Sequence, residues 1–427
     1  MNKYERYKKV NLPWLKEIPN HWEIIRNKNI FKENKKSVGN RFQDYKLLSL
    51  SLQGVIERNL EAGGKFPANF EKYSIVNLDE LVFCLFDIDE TPRAIGIAGI
   101  EGMITNAYNI MSVRGHVPRY MYYFYLYLDF IKGLKPYYSG LRKTVGIDTF
   151  NSFKIPVPSV KEQVQIANYL DWKINEIDRL IQIEKEKIKQ LNQTMQISIN
   201  SRYKILNLED ETNKGVKIKY LANQITQHKG EYRRYIALEN IISQKGMMKI
   251  SFDNLEFNSD GISVEKNMVI FGKLRPYLAK TIVVENKAVC SSEFLVLNPI
   301  KLMPLYLKYL MLSSKFIDLV DSSTYGTKMP RANSDFILNL KIVVPDLSEQ
   351  KKVVEKILES ENRINKVIEV IIKKIESMEN LKQSLISEVV TGQIDVRDIV
   401  IPEYEKVAIA NGEIEETDEM EGKEYGN

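Results

Sequence analysis

The chain repeats itself. Val157-Pro158-Ser159-Val160-Lys161-Glu162-Gln163 matches Val344-Pro345-Asp346-Leu347-Ser348-Glu349-Gln350 at an offset of 187 residues. Upstream, Val76–Phe83 matches Val264–Phe271, and Leu47–Leu50 matches Tyr235–Leu238, at 188. Tyr138 falls on Tyr325, and Asp148–Phe150 on Asp335–Ile337. A unit of this length is too long for a solenoid repeat, so the chain is a duplicated domain.

Each copy has the same internal order. A block of short β-like runs comes first, with Leu81–Phe86, Met268–Phe271, Thr281–Val284 and Phe294–Leu297 read as strands. A helical patch closes it, Arg119–Ile131 or Leu305–Val320. A Gly-containing basic loop, a Pro and a long helix come next. Ser159-x-x-Glu162 is a capping box, and Asp346-x-x-Glu349 starts the second helix with a carboxylate. Leu170, Ile174, Ile177, Ile181, Ile188, Leu191 and Met195 recur at alternating three- and four-residue spacing, interrupted by Glu184. Ile357, Ile364, Ile368, Ile371, Ile375 and Met378 do the same, with Glu361 and Lys382 interrupting, and Gly392 suits a helix stop. These are coiled-coil seams, each needing a partner, and the chain holds two of matching length. The expected fold is α+β: two globular α/β blocks separated by two long helices in an antiparallel coiled coil with pseudo-two-fold duplication. The expected bounds are 1–158, helix 159–205, 206–345, helix 346–392, and a tail 393–427.

Charge is unevenly spread. The net charge is +5, yet Pro402–Asn427 carries nine acids and two bases. A basic body with an acidic tail suits a polyanion partner, and ordinary solubility accounts for it as well. The tail is expected to be disordered. Two cysteines, Cys84 and Cys290, and three scattered histidines, His21, His116 and His228, exclude a disulfide scaffold and a Cys- or His-rich metal site. No signal peptide or bilayer-length apolar run is seen, so the expected location is cytoplasmic, with no membrane partner.

Catalytic signatures are missing. There is no dinucleotide or Walker loop, and Asn298-Pro299-Ile300 is not a methyltransferase motif. Pro345-Asp346 with Glu349 and Lys351 spells a nuclease motif, but the letters lie in one helix cap and the first copy has Ser159 in place of the Asp. Asp87, Asp89 and Glu90 form an acidic cluster that reads as a metal site or as a solvated or Arg93-paired turn. What remains is a binding surface. The loops before the helices hold Tyr138, Arg142, Lys143 and Thr144 in one copy and Tyr325, Lys328 and Arg331 in the other; Arg93 and Lys273-Leu274-Arg275 add cations at nearby turns. Cations suit phosphate and Arg suits guanine edges. An isolated basic loop is also an ordinary exposed turn; its recurrence in both copies favours DNA.

The order of blocks and paired Pro-x3-Glu-Gln helices resembles the DNA specificity subunits of type I restriction–modification systems. Leu12–Trp22 is similar to that family's start and Leu381–Gly392 to its close. Val82–Arg93 and Lys273–Tyr277 resemble two subclasses of its recognition domains. The resemblance reaches about residue 400. It implies a non-catalytic subunit with two target recognition domains, each reading half of a bipartite asymmetric site on double-stranded DNA, and with helices that set the spacing and dock two methyltransferase subunits. It implies no cofactor on this chain; S-adenosylmethionine, ATP and Mg belong to the modification and restriction (motor-nuclease) subunits. A coiled-coil scaffold without DNA binding and a divergent DNA-modifying enzyme are the alternatives.

Overall fold

The computed structural model describes residues 2–58, 70–88, 90–91, 93–140, 143–203, 215–227, 233–258, 260–324 and 329–407. Compactness divides it into two units. The first joins the chain up to Ile183 with the stretch from Lys373 onward; the second is Glu184–Ile372. The division falls inside both long helices rather than at their ends.

The first unit is built on an antiparallel sheet of β1 (Phe31–Asn34), β2 (Leu81–Phe83), β3 (Ile95–Ile97) and β4 (Asn109–Val113), in the order β1-β4-β2-β3. Val82 pairs with Ile110 on one side and Gly96 on the other. The second unit repeats it with β5 (Ala222–Ile225), β6 (Val269–Gly272), β7 (Thr281–Val283) and β8 (Phe294–Pro299), in the order β5-β8-β6-β7. The equivalence extends to the neighbouring strands. Leu47 forms a parallel bridge to Met103, whose antiparallel partner is Ile75. In the second unit Tyr235 pairs in parallel with Val289, whose antiparallel partner is Ser263.

Helix α1 (Pro118–Phe130) lies against β3. Four of its five tyrosines are buried, and each of those hydroxyls finds an acceptor: Tyr120 on Pro156 O, Tyr123 on Asp171, Tyr125 on Asn27 and Tyr127 on Trp14 O. The short α2 (Ile147–Ser152) leads to the long α3 (Val160–Asn200). In the second unit the expected single helical patch is two helices, α4 (Pro304–Leu312) and α5 (Ser314–Ser322). The break is at Ser313, fully buried, whose hydroxyl donates to Leu310 O and accepts from Phe316 N, capping α5. Then come α6 (Ser334–Asn339) and α7 (Leu347–Val390).

Helices α3 and α7, 41 and 44 residues long, pack antiparallel. At 1.5 Å per residue each is about 60–65 Å long. In the first unit Leu170, Ile177 and Ile181 are buried with Leu385, Ile386 and Val389, and Ile174, Ile375 and Met378 pack beside them. In the second unit Ile357 and Ile371 are buried, while Ile188, Leu191, Ile364 and Ile368 are half-buried. The seam's polar interruptions are all paired: Glu184 with Lys187, Glu361 with the Tyr309 hydroxyl, Lys382 with Asp178 at 2.7 Å.

Two expectations are corrected. Ser159 Oγ accepts the Glu162 N–H at 3.3 Å, but Glu162 does not return to the cap. Its buried carboxylate instead accepts from Tyr4 OH at 2.7 Å and Trp22 Nε1 at 3.0 Å and meets His21 Nε2 at 2.8 Å. These donors from the N-terminal segment outcompete a single solvated amide. Nor is the chain from 393 the disordered stretch expected, as far as residue 407. Gly392, at φ +76°, turns the chain against Pro19 and Trp22, after which Ile394 and Val396 are buried. Gln165 Nε2 donates to Val396 O and Ile399 O, and Asp395 N donates to Asn2 O at 2.8 Å. Residues 408–427, with most of the acidic charge, lie outside the described residues. Among the described residues no helix is long and apolar enough to cross a membrane.

Candidate nucleic-acid interface

Each unit carries one version of the same assembly: the segment leaving the central strand, with the loop before the long helix docked on it. In the first unit β2 runs through Cys84 and Leu85 to Asp87, whose backbone is left-handed at φ +46°. Its carbonyl accepts from Glu90 N, Thr91 N and the Thr91 hydroxyl, closing a tight turn. The loop closes on itself through paired Ser139–Thr144 hydrogen bonds of 3.0 Å, and Val145 N then donates to Leu85 O at 2.8 Å. In the second unit β6 runs through Lys273 to Arg275, left-handed at φ +49°. Ala332 N donates to Lys273 O at 2.9 Å, the counterpart of Val145 on Leu85, and Arg275 N donates to Pro330 O at 2.8 Å.

Of the sequence-derived candidates, the second unit brings together Lys273, Arg275 and Arg331. Leu274 bridges to Arg331, and Lys273 N is held by Glu293 O. Arg275 is exposed, as are Tyr277 and Met329 beside it. Arg331 is forked onto the Glu293 carboxylate, Nε to Oε2 at 3.1 Å, so its charge is largely balanced within the protein. Tyr325 and Lys328 lie outside the described residues, as does Arg142.

The first unit gathers its candidates less tightly. Tyr138 packs against the core, and Lys143 (φ +44°) and Thr144 are half-buried in the loop. Of the alternatives for the acidic turn, pairing with Arg93 is not seen among the described residues. Arg93 donates to Leu52 O at 2.8 Å and to Tyr122 OH, with Phe130 6.0 Å away. The peptide carbonyl and ring offer a fixed seat that a solvated turn carboxylate does not. Asp89 lies outside the described residues, and among those described no acidic or His/Cys group could hold a metal ion. Burial pushes the Cys84 thiol up and the Cys290 thiol up to about 12, which keeps both protonated and un-nucleophilic near neutrality.

A joint between platform and long helix went unrecognised in the sequence. Gln163, fully buried, accepts Val117 N and donates to Pro158 O, locking α3 to the start of α1. Gln350 accepts Met303 N and donates to Pro345 O, locking α7 to the start of α4. The signal is present in the repeated Glu-Gln pair, of which a capping box would use only the Glu.

Comparison with known proteins places this architecture. A family model for the type I restriction modification DNA specificity domain matches residues 98–193 and 197–377. The MjaVIII type I restriction enzyme specificity subunit of Methanocaldococcus jannaschii is 23% identical over 372 residues, 78% of this chain and 84% of that protein. The EcoDI specificity subunit of Escherichia coli is 23% identical over 140 residues, 32% of this chain and 31% of that one. A solved chain from work on complex assembly and conformational transition of the type I R-M system shares the fold with a TM-score of 0.62 at 10% identity, covering 88% of this chain and 99% of that one. Two copies of one platform, each joined to a long helix and matched by this model over most of the chain, mean that the chain belongs to the type I restriction–modification DNA specificity family.

Proposed function

We propose that each unit reads one half of a bipartite, asymmetric DNA site and that the long helices hold the modification subunits in register with it. The observation that carries this reading is one scaffold bearing different chemistry: exposed Arg275 and Tyr277 in the second unit, half-buried Asp87 at the equivalent turn of the first. Identical frames with different tips are what two dissimilar half-sites require. Base-edge contacts specify sequence, while cations such as Lys273 position the phosphate backbone.

The helices keep apolar side chains outside their seam: Leu180, Ile183 and Leu381 in the first unit, and Val367, Val370 and Ile372 in the second. These offer each unit a place to dock a methyltransferase subunit. In this reading S-adenosylmethionine, ATP and Mg are handled by the modification and restriction subunits, and this chain does no chemistry of its own. Reconstitution with the modification subunits, followed by methylome mapping, tests it. Methylation at a split motif with two unlike halves is expected. Methylation independent of sequence, or a complex that forms without binding DNA, would leave a coiled-coil scaffold as the better description.

A further inference from the structure

The two units depart from ordinary backbone geometry at matching places. Asp79 (φ +60°) and Asn267 (φ +68°) are separated by the repeat offset of 188, and so are Asp87 (φ +46°) and Arg275 (φ +49°). Asp and Asn tolerate the left-handed region; Arg has no such preference, so its presence there is imposed by the surrounding structure. The second pair sits where the pre-helix loop docks, two residues beyond the matched hydrogen bonds Val145–Leu85 and Ala332–Lys273. Neither side chain has a hydrogen-bond or ion-pair partner among the described residues. One position is thus held in one backbone conformation twice, with opposite charge and no side-chain partner among the described residues.

We propose that this left-handed residue is a specificity-determining position of each unit, Arg275 taking a guanine edge and Asp87 taking the exocyclic amine of a cytosine. The inference rests on the DNA-reading assignment above. Arg275 matches guanine O6 and N7 with its forked donors. For Asp87 the choice is narrower. A carboxylate is repelled by phosphate and accepts only, so on a DNA-facing turn it needs a donor. The major groove offers two, cytosine N4 and adenine N6. Adenine places its N7 acceptor beside the amine and repels the second carboxylate oxygen; cytosine does not.

The test is the methylome of cells carrying the locus with Asp87→Asn, Asp87→Gly or Arg275→Gln, each in the full complex. Asn and Gly both accept the left-handed backbone, so the two variants separate loss of the carboxylate from loss of the fold. The expected result is that the Asp87 variants relax or change one base pair of one half-site by roughly ten- to a hundredfold, leaving the other half-site intact. Arg275→Gln should do the same to a guanine of the other half-site. Unaltered half-sites in all three variants overturn the proposal, as does a uniform loss across all sequences with a shallower salt dependence, which would mark a phosphate contact. A wild-type locus without sequence-specific methylation would refute the DNA-reading assignment itself, a different outcome from a wild-type motif that the variants leave unchanged.

Discussion

The side-chain carbonyl of Gln163 accepts the main-chain N–H of Val117, 46 residues earlier in the chain, at 2.9 Å. Gln350 and Met303 repeat the bond at 2.9 Å. In each unit one buried amide fixes the direction in which a long helix leaves its platform.

Replacing either glutamine by leucine keeps the volume but orphans an N–H and a proline carbonyl. The expected loss is about 1–3 kcal/mol per site, read by denaturant unfolding. Wild-type stability in both Gln163→Leu and Gln350→Leu would show that water replaces the bonds without cost.

Stability should fall in acid partly through Asp395. Burial raises its carboxyl, but the hydrogen bonds from Arg397, 2.7 Å from Nη2 and 3.0 Å from Nε, outweigh burial and hold it below the ordinary carboxylate value. A carboxyl depressed by folding contributes stability that is present above its unfolded pKa, about 3.9, and lost as pH falls through the folded value. Asp395→Asn should therefore be less stable near neutrality and lose less between about pH 4 and the folded value. Urea unfolding across that range checks it; a pH profile parallel to wild type counts against it.

Glu293 holds Arg331 away from solvent anions. Glu293→Gln should free a cation on the second platform, tighten duplex binding by the complex and steepen its salt slope by up to about 0.9. Titrations at several salt concentrations decide this, and an unchanged slope would place Arg331 off the DNA.

Four residues inserted near Asn200, at the end of α3, should extend that helix by about 6 Å and turn the downstream chain by about 40°. The expected outcome is a longer non-specific spacer with both half-sites unchanged, at some cost in affinity. An active variant with the original spacer, or with altered half-site bases, would refute a measuring role for the helices.

How much of the fold and site was legible depended on whether the cause was local. The duplication, the Ser159 and Asp346 caps, the seam from Leu170 to Ile181 and the stop at Gly392 all arise from residues near one another in sequence. The Ser313 break did not show, because a serine between apolar residues caps a helix only when its hydroxyl is buried. Glu162 reads as a local cap, since Tyr4 and Trp22 reach it only across some 140 residues or more. Of the candidate site, the docking of Arg331 on the Lys273–Arg275 turn was anticipated only as similar composition. That Glu293 would balance Arg331, and that Arg93 would turn inward to Leu52, depended on contacts no motif encodes.

The division of both helices between the units sets an order of events during synthesis. The first unit is begun first but completed last, because its core waits for Leu385, Ile386 and Val389, and α3 waits for Lys382 to meet Asp178. The described residues of the second unit lie within Glu184–Ile372 and are made earlier. A chain cut short at about residue 372 would therefore damage the part made first, and the nascent protein carries an unfinished apolar face on α3 until the last turns of α7 have been made.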